Sequence, residues 1–190
     1  MFCSAKDLKA LLAAIPMTGE FKPHRANQLG VIVAGSQVFC TNSYSLACLC
    51  PEGEPIDGAY FLSREQIKSL PNDHTVIFEN NRVVVDGLNK AFGSRWTLEP
   101  NTDTAFANPG YVASLQKLLR EDTYAYGVMH INLEQGFRYN PVLLEKALHL
   151  FSTLKINCKI IPRGQSTLYI EPKEWIKNPY ISVLVQGQAK

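Results

Sequence analysis

The chain has 190 residues, 46% of them hydrophobic and 19% charged, with a formal net charge of +2. That is enough chain to bury a real core in one large or two small domains, and too apolar a composition for a disordered chain. So small a charge neither demands nor excludes nucleic acid; any phosphate contact has to come from local clusters of Lys and Arg. The five cysteines, Cys3, Cys40, Cys48, Cys50 and Cys158, are odd in number and show no framework spacing. Cys48 and Cys50 would point the same way from a strand, but no second pair exists to complete a zinc site. Buried, reduced thiols in a reducing cytoplasm are the expectation. Lys6, Asp7 and Lys9 interrupt the apolar residues of the first segment, and no run approaches the ~20 apolar residues of a membrane span. A soluble cytoplasmic protein with no membrane contact is expected.

In chain order, residues 4–15 read as a helix. Ser4 is its cap, Leu8, Leu11, Leu12 and Ile15 form one stripe, and Pro16 stops it. Strands are expected at 29–33 and 37–40, around a turn at Ala34-Gly35-Ser36, and a third at 45–50. A second round follows. Strand 59–62 leads to a helix that Ser63 caps, with Gln66 completing a capping box. Strands at 75–79, 82–86 and 94–98 come next, the first two joined at Asn80-Asn81. The polar stretch 99–109 reads as a linker, 111–120 as a helix and 125–133 as a strand. A final round opens with Asn140 as cap and Pro141 in the first helical turn. Its helix carries Leu143, Leu144, Ala147, Leu148 and Phe151 on one face. Strands at 156–161, 167–171 and 180–185 close it. A helix followed by three strands thus occurs at least three times, and such repetition is an architectural signal in itself.

These residues resemble a known family. The opening "FCSAKDLKALLAAI", with "HRANQLGVIV" and "VFCTNSYSLACL" beyond it, is similar to the start of the middle domain of bacterial DNA polymerase III beta subunits, the sliding clamps. Their "TDghRLA" segment corresponds to Thr41-Asn42-Ser43-Tyr44-Ser45-Leu46-Ala47. Thr, Leu and Ala match; Asn42, Ser43 and Ser45 stand where the family has Asp, Gly and Arg. The stretch from Tyr60 through Phe106, Pro109 and Tyr111 resembles the rest of that domain. "RYNPVLLEKALHLF" and the strands after it resemble the last half-domain. The resemblance covers most of the chain as a pattern, without one decisive motif.

It implies an α+β protein of the DNA-clamp (processivity fold) type, built from repeated helix-plus-antiparallel-strands units. Residues 1–108 would form a clamp-like domain of two units, and 109–190 a second, reduced one. A clamp subunit has three such domains; here the first, and about half of the third, have no counterpart. Ring closure would therefore require a homo-oligomer. The implied mechanism involves no bond chemistry: helices line a central hole and present positive charge loosely to phosphate. Lys6 and Lys9, Arg64 and Lys68, and Lys146 with His149 share helical faces, diluted by Glu65 and Glu145. Each pair reads equally as an ordinary solvated face. Lys22 and Arg25 lie in a loop whose family counterpart carries an Arg near DNA; a solvent-exposed basic loop is the alternative.

The family's second working surface is a hydrophobic cleft that binds short motifs of polymerase and clamp loader. Carried over by position, one wall is Thr41, Tyr44 and Leu46, and the other is Val183, Leu184 and Val185. The latter three replace a Met-Pro-Met pattern, and all six read alternatively as core strand residues. His24, His74, His130 and His149 are scattered, and there is no HExxH and no Gly-rich phosphate loop. No enzyme activity, cofactor or metal is expected. The leading reading is a clamp-like replication protein that binds duplex DNA, replication proteins, or both. Its rival is an interaction module that keeps the fold but does not bind DNA.

Overall fold

The computed structural model describes residues 1–16, 30–42, 44–80, 82–87, 95–102, 107–120, 138–163, 167–174 and 180–188. The expected loop cations Lys22 and Arg25, and the expected strand 125–133, lie outside the described residues.

The first unit is β1 (Phe2–Ser4), α1 (Ala5–Ala14), β2 (Gly30–Ala34), β3 (Gln37–Thr41) and β4 (Ser45–Cys50). Ser4 caps α1 by accepting from the Asp7 amide at 3.0 Å, which satisfies one of the orphan donors of the first turn. Gly35 takes φ +56° at the β2–β3 turn, a conformation glycine adopts without strain. The second unit is β5 (Ala59–Ser63), α2 (Arg64–Ser69), β6 (His74–Phe78), β7 (Val83–Gly87) and β8 (Arg95–Leu98). Its capping box is complete: Ser63 Oγ accepts from the Gln66 amide, and Gln66 Oε1 accepts from the Ser63 amide. The third unit is β9 (Arg138–Tyr139), α4 (Pro141–Thr153), β10 (Cys158–Arg163), β11 (Thr167–Pro172) and β12 (Tyr180–Gln188). Asn140 caps α4, with Pro141 in the first turn. One helix, α3 (Pro109–Arg120), stands outside this pattern. The short strands β1 and β9 have no clear period-2 signal in the sequence and were found only in the structure.

Units one and two exchange their first strands. β1 pairs with β6, and β5 pairs with β2, both antiparallel. The result is a four-stranded sheet, β1-β6-β7-β8, and an eight-stranded one. The latter runs β10-β11-β12-β4-β3-β2-β5, with β9 pairing the end of β12. Its centre is a seam between units one and three, where β4 and β12 pair antiparallel from Tyr180 opposite Cys50 to Val185 opposite Ser45. This mixed architecture of helices and antiparallel sheets is the expected α+β fold.

Strand alternation gives the large sheet two working faces. Val31, Val33, Val38, Cys40, Ala47, Leu49, Ile170, Ile181, Val183 and Val185 point to one, where they form a single core with α1, α2 and α4. α1 packs against both α2 and α4. Ile32, Ala34, Phe39, Leu46, Cys48, Tyr169 and Leu184 point to the other, under Val112 and Leu115 of α3. A sheet buried on both faces reads as continuous apolar runs, and β2 and β4 have that character.

At Gly30 the backbone of β2 leaves no room for a side chain against β5. A Cβ there would lie 1.9 Å from the Leu62 carbonyl oxygen and 2.7 Å from the Phe61 ring. Gly30→Ala is expected to push the strands apart and cost about 1–3 kcal/mol, read as a lower midpoint in urea unfolding.

Candidate functional site

On the outer face of the seam, α3 and the sheet enclose an open apolar groove of about 330 Å³. Its floor follows from register. Thr41 of β3 lies opposite Leu46 of β4, Leu46 opposite Leu184 of β12, and Leu184 opposite Tyr169 of β11. Thr41, Leu46 and Leu184 line the groove together with Tyr44, Ser45, Thr167 and Gln186. The opposite wall is α3, through Tyr111, Ser114, Leu115 and Leu118. These positions share one helical face by i, i+3, i+4 spacing. Among the described residues no charged side chain lines it, and Leu118 stands 49% exposed at its lip.

The 41–46 wall is held from beneath by Asn42, which is fully buried. Its Oδ1 accepts from the Tyr44 amide (3.1 Å), the Ser45 amide (2.8 Å) and Ser45 Oγ (2.9 Å). Its Nδ2 donates to the Pro16 carbonyl at 2.9 Å. Thr41 Oγ1 donates to the Ser45 carbonyl at 2.8 Å. The α3 wall is held by Gln116 Nε2, which donates to Gln37 Oε1 at 3.0 Å, and by Arg163. Arg163 Nη1 donates to the Leu119 carbonyl at 2.7 Å, at the negative end of the helix, and its guanidinium stacks 3.6 Å over the Tyr169 ring. Tyr169 Oη lies 3.1 Å from Tyr180 Oη, which donates to Glu171. Burial, followed by these hydrogen bonds, holds the Tyr180 hydroxyl far above its ordinary pKa.

Of the six side chains expected to line a cleft, four come together: Thr41, Tyr44, Leu46 and Leu184. Val183 and Val185 do not. Adjacent residues of a strand face opposite ways, so these two are fully buried on the helix side of the sheet. The α3 residues were not anticipated as a wall. Their apolar spacing was visible, but the side of the sheet they cover was not.

The basic residues are divided. Lys6, Lys68 and Lys146 are exposed on the helix side. Lys9 donates to Asn72 Oδ1 at 2.9 Å, and Arg64 donates to the Ile15 carbonyl at 3.2 Å, so both are engaged in holding helices. His149 is exposed on α4. Among the described residues no group of three or more His, Cys, Asp or Glu is gathered in one place, and no helix is long and apolar enough to cross a membrane.

The thiols differ in their surroundings. Burial pushes Cys40 up to about 12 and raises Cys3 further. Cys50 is lowered, because the Cys48 thiol hydrogen-bonds to its thiolate. Among the described cysteines, Cys50 is therefore expected to react first with iodoacetamide near pH 8, a result read by peptide mass mapping.

Repeated helix-and-strands units joined edge to edge, with helices on one face, define the sliding-clamp fold. No family model and no curated protein matches the sequence; solved structures do. The chain aligns with a DNA polymerase III beta chain from Streptococcus pneumoniae at TM-score 0.57 and 11% identity, covering 100% of this chain and 64% of that one. It aligns with the Borrelia burgdorferi beta subunit, solved with a natural product, at TM-score 0.57 and 11% identity, covering 100% and 62%. The Helicobacter pylori beta clamp bound to a DNA ligase peptide gives TM-score 0.54 and 12% identity, covering 98% and 63%. At these identities the likeness is one of fold, and the chain spans less than two thirds of each of these clamps.

Proposed function

We propose that this clamp-fold chain is a binding module of DNA replication without a catalytic site, and that its groove captures short apolar peptide segments of replication proteins. The observation that carries this is the groove itself. It lies at the junction of two units, with an apolar floor, a rim that is uncharged among the described residues and a helix for one wall. Such a site takes aliphatic or aromatic side chains and leaves orientation to a few polar groups. The peptide-bound Helicobacter pylori clamp supports the same class of ligand for this fold. The test is fluorescence anisotropy with a labelled peptide of about ten residues carrying two adjacent apolar side chains. Saturable micromolar binding, displaced by unlabelled peptide, is the expected result. A linear, non-competable signal would overturn it.

A second reading, duplex binding by the helix side, is favoured by one observation: Lys6, Lys68 and Lys146 are exposed on three helices that lie on the same sheet face. Replacing all three with Glu should abolish retention on duplex DNA at about 50 mM salt, where phosphate contacts are strongest. Unchanged retention would remove this face from consideration. No retention of the unmodified chain would leave the peptide module alone.

A further inference from the structure

The five cysteines divide between the two cores. Cys3, Cys40 and Cys158 belong to the one on the helix side of the large sheet. Cys48 and Cys50 belong to the outer one, which Val112 and Leu115 of α3 share. They stand two residues apart on β4, so their side chains leave the same face of the strand. Cys48 is 2% exposed, whereas Cys50 is only partly buried. The Cys48 thiol donates to the Cys50 sulfur and accepts from Gln37 Nε2 at 3.7 Å. Gln37 Oε1 in turn accepts from Gln116 Nε2 of α3 at 3.0 Å. A continuous hydrogen-bonded chain thus joins a partly exposed cysteine to the helix that walls the groove.

We propose that Cys48 and Cys50 are a peroxide-sensitive dithiol, and that closing the bond between them loosens α3 and weakens the groove. The effect on the groove rests on the peptide-capture reading; the dithiol itself does not. The Cys50 thiolate attacks one oxygen of hydrogen peroxide, the O–O bond breaks, and the other oxygen leaves as water after taking a proton. Cys50 is then a sulfenic acid. The Cys48 sulfur attacks the Cys50 sulfur, loses its proton and expels the sulfenic oxygen as a second water, so the peroxide is reduced and the two thiols are oxidised to a disulfide. By donating to Cys50 the Cys48 thiol stabilises the attacking thiolate, and it is already in place to resolve the sulfenic acid. Two residues of extended strand put the Cα atoms about 6.7 Å apart, close to the upper limit of about 6.8 Å for a disulfide. The bond therefore forms with a local pucker of β4, and a disulfide under such tension is readily returned to thiols by a small dithiol. The pucker reaches α3 by two routes. Cys48 Sγ, drawn towards Cys50, leaves the Gln37 amide, and the Gln37–Gln116 bond loses its fixed geometry. The Cys48 side chain also shifts within the apolar cluster that holds Val112 and Leu115.

Three readings on the full chain, before and after micromolar hydrogen peroxide, test this. Mass spectrometry should show a chain lighter by two hydrogens, with the link mapped to Cys48 and Cys50 by fragmentation and reversed by dithiothreitol. Cys50→Ser, with an unchanged far-UV spectrum, should abolish that loss, and Cys158→Ser should not. Amide hydrogen exchange of α3 should become at least ten-fold faster in the oxidised chain. Affinity for the labelled apolar peptide should fall at least five-fold and return on reduction. Oxygen added to Cys50 with no link to Cys48 would overturn the proposal, as would a link that leaves the exchange of α3 unchanged. A reduced chain that binds no peptide would overturn the groove reading instead, with the dithiol still decided by mass and exchange.

Discussion

Leu118→Asp is expected to lower the affinity of the groove for an apolar peptide by thirty-fold or more while leaving the melting curve unchanged. Leu118 lines the groove from α3 and is half exposed, so a carboxylate there stays hydrated and costs the fold little. Once a peptide covers it, that carboxylate loses water without gaining a partner, since no cation among the described residues lines the groove. Covering an unpaired charge in this way costs about 2 kcal/mol or more. Leu46 is the less informative position. It is almost fully buried in a central strand, so Leu46→Asp would unfold the seam and confuse lost binding with lost structure. Isothermal titration beside a thermal melt separates the two effects for Leu118. Undiminished affinity in the variant would place the peptide elsewhere.

Asn42→Ala should produce the largest loss of stability among single polar changes, about 3–5 kcal/mol, and should disturb the groove with it. Alanine leaves the Tyr44 and Ser45 amides, the Ser45 hydroxyl and the Pro16 carbonyl without the atoms that now meet them. An unpaired buried polar group costs about 1–3 kcal/mol, and several are created at once where water has little access. The 44–46 wall would lose its shape as the bonds are released, so peptide affinity should fall even in the fraction that remains folded. Chemical denaturation gives the first quantity and titration well below the midpoint the second. A loss under about 1 kcal/mol would mean that the turn holds itself by other means.

The helices and most strands were legible because their signals are local: a Ser or Asn cap, a proline stop, and an apolar period held for three turns. β4 and the Ser63–Gln66 box match their expected positions. What was not legible depends on partners far away in the chain. β1 is a strand because β6 lies beside it, and β9 because the end of β12 does. The cleft shows the same division. The Thr41–Leu46 wall came from a resemblance over contiguous residues, and Leu184 with it. Val183 and Val185 come from the same carry-over by position, which does not reveal which of three successive residues faces outward. Register against β4 decides that, and places Leu184 on the groove side. Gly87, just past the expected strand 82–86, is the last residue of β7, opposite His74.

The β4–β12 seam has a kinetic consequence. Leu46 and Leu184 are neighbours on the groove floor, yet more than a hundred residues separate them along the chain. Contacts of such high order form only after a large loop has been closed, and that entropic toll slows them relative to the hairpins around them. β2, β3 and β4 can pair among themselves while the chain is still being synthesised. The groove lacks the Leu184 side of its floor until β12 is in place, so it is completed as one of the last events of folding, and a chain halted before β12 would be structured in part but without the finished groove.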